Sequence, residues 1–199
     1  MNRALFLDRD GIINVDRDFV YRISDFEFRE GIFDVARLAR ANGLLLIVVT
    51  NQSGIARGYY SEEEFASLTA WMCQQFEAEN AAIQKVYHCP VHPDFPRAED
   101  KGLANWRKPA PGMLLQAAKD FDIDLSASFM IGDRRSDFDA AHAAGVGSFL
   151  YVRSSFSGDR GSDGDCCNDL QGAELWLKAR LAANIALPLA GNANMSDSI

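Results

Sequence analysis

The amino-acid sequence predicts an α/β fold, a Rossmann-like three-layer sandwich with a mainly parallel sheet. Short apolar runs alternate along the chain with segments of helical periodicity, which is the pattern of consecutive β-α units. The run from Leu44 to Val49 is apolar at every position, as expected of a strand that helices cover on both faces. Several of these runs stop abruptly at a polar turn, which is where ligand groups gather in such sheets.

The individual elements follow from these patterns in chain order. Strands are predicted at residues 5–7, 44–49, 83–88, 128–131 and 148–152. Helices are predicted at residues 31–42, 61–79, 112–121, 137–144 and 170–182. Ser61 and Glu64 make a capping-box pattern at the second helix, and Gly43 suits the end of the first. We expect loops at 89–111 and 154–169, a single domain over residues 1–183, and a flexible tail over residues 184–199.

Composition and charge exclude several classes of function. The 199 residues carry a formal net charge of -8, which disfavours a nucleic-acid or anionic-membrane surface. The apolar run before Asp8 is too short for a signal-peptide core or a membrane span. Four cysteines in a chain of this length do not make a disulfide framework. We therefore expect a cytoplasmic protein, monomeric, that binds neither nucleic acid nor membrane and acts on a small molecule.

Polar clusters follow separate predicted strands at one edge of the sheet. In open parallel sheets, ligands bind beyond the carboxyl ends of the strands, so clusters from different strands can converge there. The clusters and a neighbouring loop pair are Asp8 with Asp10, Thr50 with Asn51 and Gln52, Asp133 with Arg134 and Asp137, and Arg107 with Lys108. Each alone is as well explained by a solvated turn or a helix cap. Their joint occurrence, each strand cluster following an apolar run, predicts a site.

The residue types at this edge match the needs of phosphoryl transfer. That reaction needs an in-line nucleophile, a proton donor for the leaving oxygen, and cations around the phosphoryl oxygens. Asp8 can attack phosphorus to give an aspartyl-phosphate, and Asp10 can act as general acid and then general base. Asp133 offers a hard oxygen ligand suited to Mg²⁺. Thr50 and Lys108 can stabilise the transferring phosphoryl group.

Four sequence motifs carry a resemblance to a known superfamily. They read FLDRDGIIN at 6–14, VVTNQSGIARG at 48–58, WRKPAPGML at 106–114 and MIGDRRSDFDAA at 130–141. Together they resemble the haloacid-dehalogenase (HAD) phosphatases. The wording DRDGIIN, TNQSGIARG and RKPAPGM is most similar to the histidinol-phosphatase-like branch and, within it, to the D-glycero-D-manno-heptose 1,7-bisphosphate 7-phosphatase family.

The resemblance implies a HAD fold with a minimal, loop-only cap and removal of the 7-phosphate of a sugar bisphosphate, for nucleotide-activated heptose of lipopolysaccharide or capsule. It implies Mg²⁺ held by Asp8, the backbone carbonyl of Asp10 and Asp133, with Asp137 ordering the loop. It implies the substrate contacts Asp16, Arg17, Asp18, Phe19, Thr50, Asn51, Gln52, Ser53, Arg107, Lys108 and Arg134. Among them, Arg107 corresponds to the contact with the distal phosphate or sugar.

The sequence departs from the family pattern at three places. Members with a zinc-binding loop carry Cys-x-His and Cys-x-Cys pairs, whereas Cys89 and His92 are one position too far apart and Ala104 and Trp106 replace the second pair. Because structural zinc needs four nitrogen or sulfur ligands, we predict no zinc. Arg134 stands where the family usually has lysine, and residues 17–19 read Arg-Asp-Phe where His-Gly-Tyr is common. The last two differences bear on the identity of the substrate.

Three rival functions remain open on the sequence. One is the same chemistry on histidinol phosphate or another small phosphate ester. Another is a catalytically silent domain that binds phosphorylated metabolites, against which Asp8 and Asp10 are both intact. The third is a nucleic-acid 3′-phosphatase, which the acidic charge disfavours.

Overall fold

A computed structural model describes residues 1–100, 102–103, 105–155 and 164–185. The strands are β1 Arg3–Leu7, β2 Leu44–Asn51, β3 Lys85–Cys89, β4 Phe129–Gly132, β5 Ser148–Val152 and β6 Asp165–Cys167. The α-helices are α1 Ile32–Ala41, α2 Glu62–Ala78, α3 Gly112–Phe121, α4 Arg135–Ala144 and α5 Leu170–Ile185. The predicted tail lies outside the described residues beyond Ile185.

The strands form one six-stranded sheet in the order β3-β2-β1-β4-β5-β6, with every neighbouring pair parallel. This architecture confirms the predicted α/β fold with its parallel sheet. The bounds of α3 and β5 are those that the sequence predicts, and α4 begins two residues before its predicted start. In the described part of the chain, helices connect most of the strands, as parallel pairing requires.

The predicted loop at 154–169 is wrong at its end, because β6 occupies Asp165–Cys167. This short strand extends the sheet by pairing with Leu150, Tyr151 and Val152 of β5. Its three residues are too few to show strand periodicity. The segment is a strand because it forms hydrogen bonds with β5, which the local sequence does not reveal. The residues 156–163 of the same predicted loop lie outside the described part of the chain.

Apolar side chains cover the sheet on both faces and make it the middle layer of a sandwich. On one face Leu5 and Leu46 pack in a core cluster with residues of α1, α2 and α5. On the other face Phe6 and Ile47 pack in a second cluster with residues of α3 and α4. Successive residues of a strand point to opposite faces, so the all-apolar runs of β1 and β2 supply both clusters. The pattern of uninterrupted apolar residues therefore reflects burial on two sides.

Local sequence signals set the helix ends near the sheet edge. At the start of α2, the Ser61 hydroxyl accepts a hydrogen bond from the Glu64 amide at 3.2 Å, and the Glu64 carboxylate accepts one from the Ser61 amide at 2.8 Å. This confirms the predicted capping box. At the start of α4, the Asp137 carboxylate accepts a hydrogen bond from the Arg134 amide at 3.0 Å.

The strand register brings three polar turns together. Leu7 of β1 pairs with Val48 of β2 on one side and with Ile131 of β4 on the other. The residues that follow these positions therefore leave the sheet at the same edge. In the described part of the chain, no helix is both long enough and apolar enough to cross a membrane.

Candidate active site

A cavity of about 270 Å³ opens at the carboxyl edge of β1 and β2. Its lining combines predicted site residues with others that the sequence did not single out. It is lined by Asp8, Asp10, Asp16, Asp18, Phe19, Thr50, Asn51, Gln52, Ser53, Tyr60, Arg107, Lys108, Arg134, Ser136 and Asp137. Residues separated by more than a hundred positions in the sequence thus meet in one space, as the strand register predicts.

Lys108 lies at the bottom of this cavity between two buried carboxylates. Its ammonium nitrogen is 2.9 Å from Asp8 Oδ1 and 2.6 Å from Asp137 Oδ1. It also donates a hydrogen bond of 2.8 Å to the carbonyl of Val49. These three partners match the three donors of an ammonium group. Lys108 is therefore held as a buried cation directly beside the candidate nucleophile.

Asn51 fixes the backbone of Lys108. The Asn51 amide nitrogen donates to the Lys108 carbonyl at 3.0 Å, and the Lys108 amide donates to Asn51 Oδ1, also at 3.0 Å. This reciprocal pair ties the end of β2 to the loop that carries Lys108. The side-chain amide of Asn51, which the family resemblance assigns to substrate, thus bonds the protein backbone in this structure.

Burial and charge together set the pKa values of the buried carboxyl groups and of Lys108. Burial raises the pKa of Asp8 to about 8, even though Lys108 opposes the shift. Burial also raises the pKa of Asp133 to about 6, with the Asp137 charge adding to the effect. Burial alone would lower the pKa of Lys108, but the carboxylates of Asp137 and Asp8 outweigh it and raise that pKa to about 12. The cluster therefore holds a permanent cation next to carboxyl groups that are costly to ionise.

Three buried carboxylates are close enough to hold a metal ion. One ligand atom from each of Asp8, Asp133 and Asp137 lies within 4.8 Å of the others. Asp133 is fully buried, and its Oδ1 has no hydrogen-bond donor among the described residues. A buried carboxylate oxygen without a hydrogen bond is costly, and the Arg134 guanidinium pairs with this one only at 4.0 Å, so a closer cation would compensate for it. This donor set of hard oxygens fits Mg²⁺.

The turn after Asp10 lies directly against Asp133. Gly11 has φ of +87°, and a Cβ at this position would lie only 2.3 Å from Asp133 Oδ2. A side chain is therefore excluded there by both backbone conformation and space. On its other side, Asp133 Oδ2 accepts a hydrogen bond from the Ser154 hydroxyl. Ser154, at the start of the segment without a predicted role, thus orients a candidate metal ligand.

The Asp10 carboxylate is held by several donors. Arg9 reaches both of its oxygens, with Nε 3.1 Å from Oδ2 and Nη2 2.9 Å from Oδ1. Asn14 donates to Oδ1 at 3.1 Å, and Gln52 donates to Oδ2 at 2.9 Å. Arg9 is only 1% exposed, so this guanidinium is committed to the protein interior. Arg9 and Asn14 are functional residues that the sequence analysis missed, although both stand inside the first motif.

The outer wall of the cavity carries two arginines. Arg134 Nη2 pairs with Asp16 Oδ2 at 2.7 Å, and Arg107 Nη1 donates to the carbonyl of Val91 at 2.9 Å. Phe19 and Tyr59 make an edge-to-face contact with ring centroids 4.7 Å apart. Phe19 is 40% exposed and Tyr59 52%, and of the two rings Phe19 is the one that lines the cavity. This wall therefore presents two positive charges and one aromatic ring to solvent.

Not every predicted site residue faces the cavity. Arg17, assigned to substrate by resemblance, pairs with Glu27 at the surface and is not among the residues that line the cavity. Cys89 is buried, and His92 is 2.8 Å from Arg57 through Nε2. Neither residue belongs to a candidate metal cluster within the described ranges. Tyr60 and Ser136, which the sequence did not indicate, do line the cavity.

The parallel sheet with an aspartate pair, a buried lysine and an acidic cluster at its carboxyl edge defines a phosphatase of the HAD-like hydrolases. A family model described as HAD-hydrolase-like matches residues 105–172. A D-glycero-α-D-manno-heptose-1,7-bisphosphate 7-phosphatase of Burkholderia mallei is 52% identical over 151 residues, which are 76% of this chain and 80% of the relative. The chain therefore belongs to the D-glycero-D-manno-heptose-1,7-bisphosphate 7-phosphatase family.

Further relatives agree with this placement. A D-glycero-β-D-manno-heptose-1,7-bisphosphate 7-phosphatase of Yersinia pestis is 47% identical over 150 residues, 75% of this chain and 80% of the relative. Among solved structures, the D,D-heptose 1,7-bisphosphate phosphatase of B. bronchiseptica, complexed with magnesium and phosphate, has a TM-score of 0.77 and 26% identity. That match covers 89% of this chain and 98% of the other. Relatives of both anomeric types thus resemble this chain.

Proposed function

We propose that this protein hydrolyses the 7-phosphate of a D-glycero-D-manno-heptose 1,7-bisphosphate in the cytoplasm, as a magnesium-dependent enzyme. The observation that carries the proposal is the position of Asp8. Its carboxylate lies 2.9 Å from the Lys108 ammonium and beside Asp133 at the bottom of a cavity. A nucleophile between a fixed cation and a metal-binding carboxylate is what phosphoryl transfer requires. The identity of the substrate in this proposal is inferred from the family to which the chain belongs.

The reaction proceeds in two steps that use Asp8 and Asp10. An Asp8 carboxylate oxygen forms a bond to phosphorus while the bond from phosphorus to the sugar oxygen breaks. Asp10 gives its proton to that leaving oxygen, so the sugar departs as an alcohol. Asp10 then takes a proton from water as the water oxygen attacks phosphorus and releases phosphate from Asp8. Lys108 and the Thr50 hydroxyl stabilise the charge on the phosphoryl oxygens in both steps.

The magnesium site consists of Asp8, the backbone carbonyl of Asp10, and Asp133. When bound, the ion neutralises charge on the transferring phosphoryl group. The Asp133 oxygen that accepts no hydrogen bond and the close approach of Gly11 to that carboxylate favour this set. Asp137 belongs to the same acidic cluster, but its oxygens already meet the Lys108 ammonium and the Arg134 amide. We assign Asp137 to ordering this loop and the lysine.

The second phosphate of the substrate binds at the outer wall. Arg107 and Arg134 line the cavity on the side away from the buried cluster, and both are permanent cations. Guanidinium groups bind phosphate with directed, charge-assisted hydrogen bonds. The loop residues Asp16, Asp18 and Phe19 complete this wall and contact the sugar. The substrate would then span the cavity, with its 1-phosphate at the outer wall and its reacting 7-phosphate at the bottom.

The test is phosphate release from synthetic α- and β-heptose 1,7-bisphosphate, with Mg²⁺ and with EDTA. Expected is Mg²⁺-dependent release that Asp8→Asn abolishes and that Asp139→Asn, an exposed acid of α4, leaves intact. The ratio of kcat/KM for the two anomers then identifies the preferred one.

Two outcomes would contradict the proposal. Faster turnover of histidinol phosphate or other esters than of either heptose would keep the phosphatase chemistry and reject the substrate. Binding of phosphate ligands without turnover of any ester would favour the silent binding domain.

A further inference from the structure

The side-chain amide of Gln52 forms all of its hydrogen bonds with other side chains of the protein. Its nitrogen donates to Asp10 Oδ2 at 2.9 Å and to Thr50 Oγ1 at 2.8 Å, and its oxygen accepts a hydrogen bond from the Tyr60 hydroxyl. The residue is 2% exposed. A primary amide has two N–H donors, so both are used. The family resemblance assigns Gln52 to substrate, but this geometry gives it another role.

Tyr60 determines which way the Gln52 amide faces. Burial raises the pKa of Tyr60 far above its usual value, so the hydroxyl keeps its proton and donates it. Only the oxygen of the amide can accept that proton, which turns the nitrogen toward Asp10. The Tyr60 ring is itself fixed: it stacks on Tyr21 at 5.2 Å, and a Cβ at Gly54 would lie 2.2 Å from its Cε1. A side chain at Gly54 would therefore displace the ring.

The donors around Asp10 differ in their relation to the cavity. Arg9 and Asn14 hold the carboxylate from the interior, and neither lines the cavity. Gln52 does line it, beside Asp10 and Tyr60. Each Asp10 oxygen accepts two hydrogen bonds, Oδ1 from Arg9 and Asn14 and Oδ2 from Arg9 and Gln52, so these donors fix the plane of the carboxylate. Among these three residues Gln52 is the one that lines the cavity, and it contacts Oδ2.

Building on the proposed function, we infer that Tyr60 is a positioning residue that acts through Gln52 to aim Oδ2 of Asp10 at the leaving oxygen of the substrate. A carboxylate that accepts four hydrogen bonds carries no proton, so in the protonated form of Asp10 the Oδ2–H bond takes the place of one of the two hydrogen bonds to Oδ2. That proton goes to the leaving oxygen in the first step, and a proton from water replaces it in the second. Without the Tyr60 hydroxyl, the Gln52 oxygen loses its donor, and the amide is held only by its hydrogen bonds to Asp10 and Thr50. The amide is then less firmly fixed, and so is the orientation of Asp10 Oδ2 toward the substrate.

The test uses the dependence of general-acid catalysis on the leaving group. A sugar alkoxide needs a proton to leave, whereas p-nitrophenolate leaves without one. Tyr60→Phe should lower kcat/KM for heptose 1,7-bisphosphate by about 10- to 100-fold, which is part of the rate enhancement that a general acid usually contributes. For p-nitrophenyl phosphate the loss should stay below about threefold, since little general-acid catalysis is there to lose. The control Tyr21→Phe, which removes a hydroxyl from the neighbouring ring, should change neither.

Gln52→Met tests the route of the effect. It should reproduce the leaving-group dependence, and Tyr60→Phe should add less than about twofold in that background, because coupled residues are not additive. Fully additive losses would overturn the route through Gln52. Equal losses on both substrates would overturn the positioning role and indicate general damage to the site. The absence of any effect of Tyr60→Phe would also overturn the positioning role.

The substrate proposal and this inference fail separately. If the wild-type protein hydrolyses p-nitrophenyl phosphate but neither heptose, the substrate is wrong, and glucose 6-phosphate serves as the alkyl ester in the same comparison. A leaving-group dependence with that ester would support the role of Tyr60. Its absence would contradict that role.

Discussion

The bottom of the cavity and its rim are built in opposite ways. At the bottom, the side chains of Lys108 and Asp137 are at most 2% exposed, and they pair with each other and with the backbone. At the rim, the side chain of Arg134 is 48% exposed, and Phe19 is 40% exposed. Charges interact strongly where water is excluded and weakly where it is not. The buried side chains at the bottom therefore keep one arrangement for catalysis. The exposed side chains at the rim can exchange their present partners for the substrate.

Removing the buried cation should have the largest effect on activity. In Lys108→Met, the carboxyl groups of Asp8 and Asp137 lose the charge between them, and the phosphoryl group loses its fixed cation. We expect kcat/KM to fall by about 1,000-fold, comparable to loss of a strong transition-state donor. Lys119→Met, on α3 and outside the cavity, is the matched control and should keep full activity. A loss below about tenfold would mean that the cation is dispensable.

The elevated carboxyl pKa values predict how strongly pH affects magnesium binding. Between pH about 6 and about 8, Asp133 is ionised while Asp8 still holds its proton, which Mg²⁺ must displace. The apparent affinity should therefore rise by about tenfold per pH unit across this interval. Titration calorimetry at several pH values measures it, and Asp8→Asn should flatten the dependence.

The same shifts set the stability of the metal-free protein. A carboxyl whose folded-state pKa is raised stabilises the fold below its unfolded pKa and loses that contribution as pH rises through the folded one. The metal-free Tm should thus fall as pH rises from about 4 to about 8, and Mg²⁺ should restore most of it at pH 8. A metal-free Tm that rises over this range, or a Tm shift by Mg²⁺ that is the same at every pH, would contradict the pKa shifts.

The contrast between bottom and rim also explains what the sequence could predict. Asp8, Asp10 and Asp133 follow apolar strands directly, so the strand pattern alone places them at one edge. Thr50 was predicted from the same pattern and Lys108 from its loop motif, and both lie in the cavity. The positions at the strand ends depend on the local periodicity of the sequence, which a single chain shows. The fold was predicted for the same reason.

Other features depend on contacts between distant segments, which no local pattern reveals. Ser154 reaches Asp133, and Tyr60 reaches Gln52, only after the sheet and loops have assembled. Arg17 sits next to residues that face the cavity, yet its side chain pairs with Glu27. Asp18 and Phe19 both have positive φ, at 57° and 51°, which an alternating pattern does not predict. The orientation of loop side chains is therefore what the sequence left open.

At the rim, Arg107 and Arg17 offer a direct comparison of two arginines. Arg107 lines the cavity, whereas Arg17 lies outside it. Arg107→Ala should raise KM for heptose 1,7-bisphosphate by about 10- to 100-fold, as expected for a lost hydrogen bond to a charged group. It should leave kcat within a few-fold and leave KM for heptose 7-phosphate nearly unchanged. Arg17→Ala should alter neither constant. A large effect of Arg17→Ala would mean that the loop rearranges around substrate.

The smallest effect should come from exchanging one rim cation for another. Arg134→Lys keeps the charge but replaces the planar fork that meets Asp16 at 2.7 Å. At a half-exposed site we expect kcat/KM for the bisphosphate to fall by less than about fivefold, since exposed ion pairs contribute little. Asp16→Asn is the paired variant, because it frees Arg134 without removing it. A loss for Arg134→Lys larger than that for Arg107→Ala would assign the distal phosphate to Arg134, and Asp16 would then be the group that aims it.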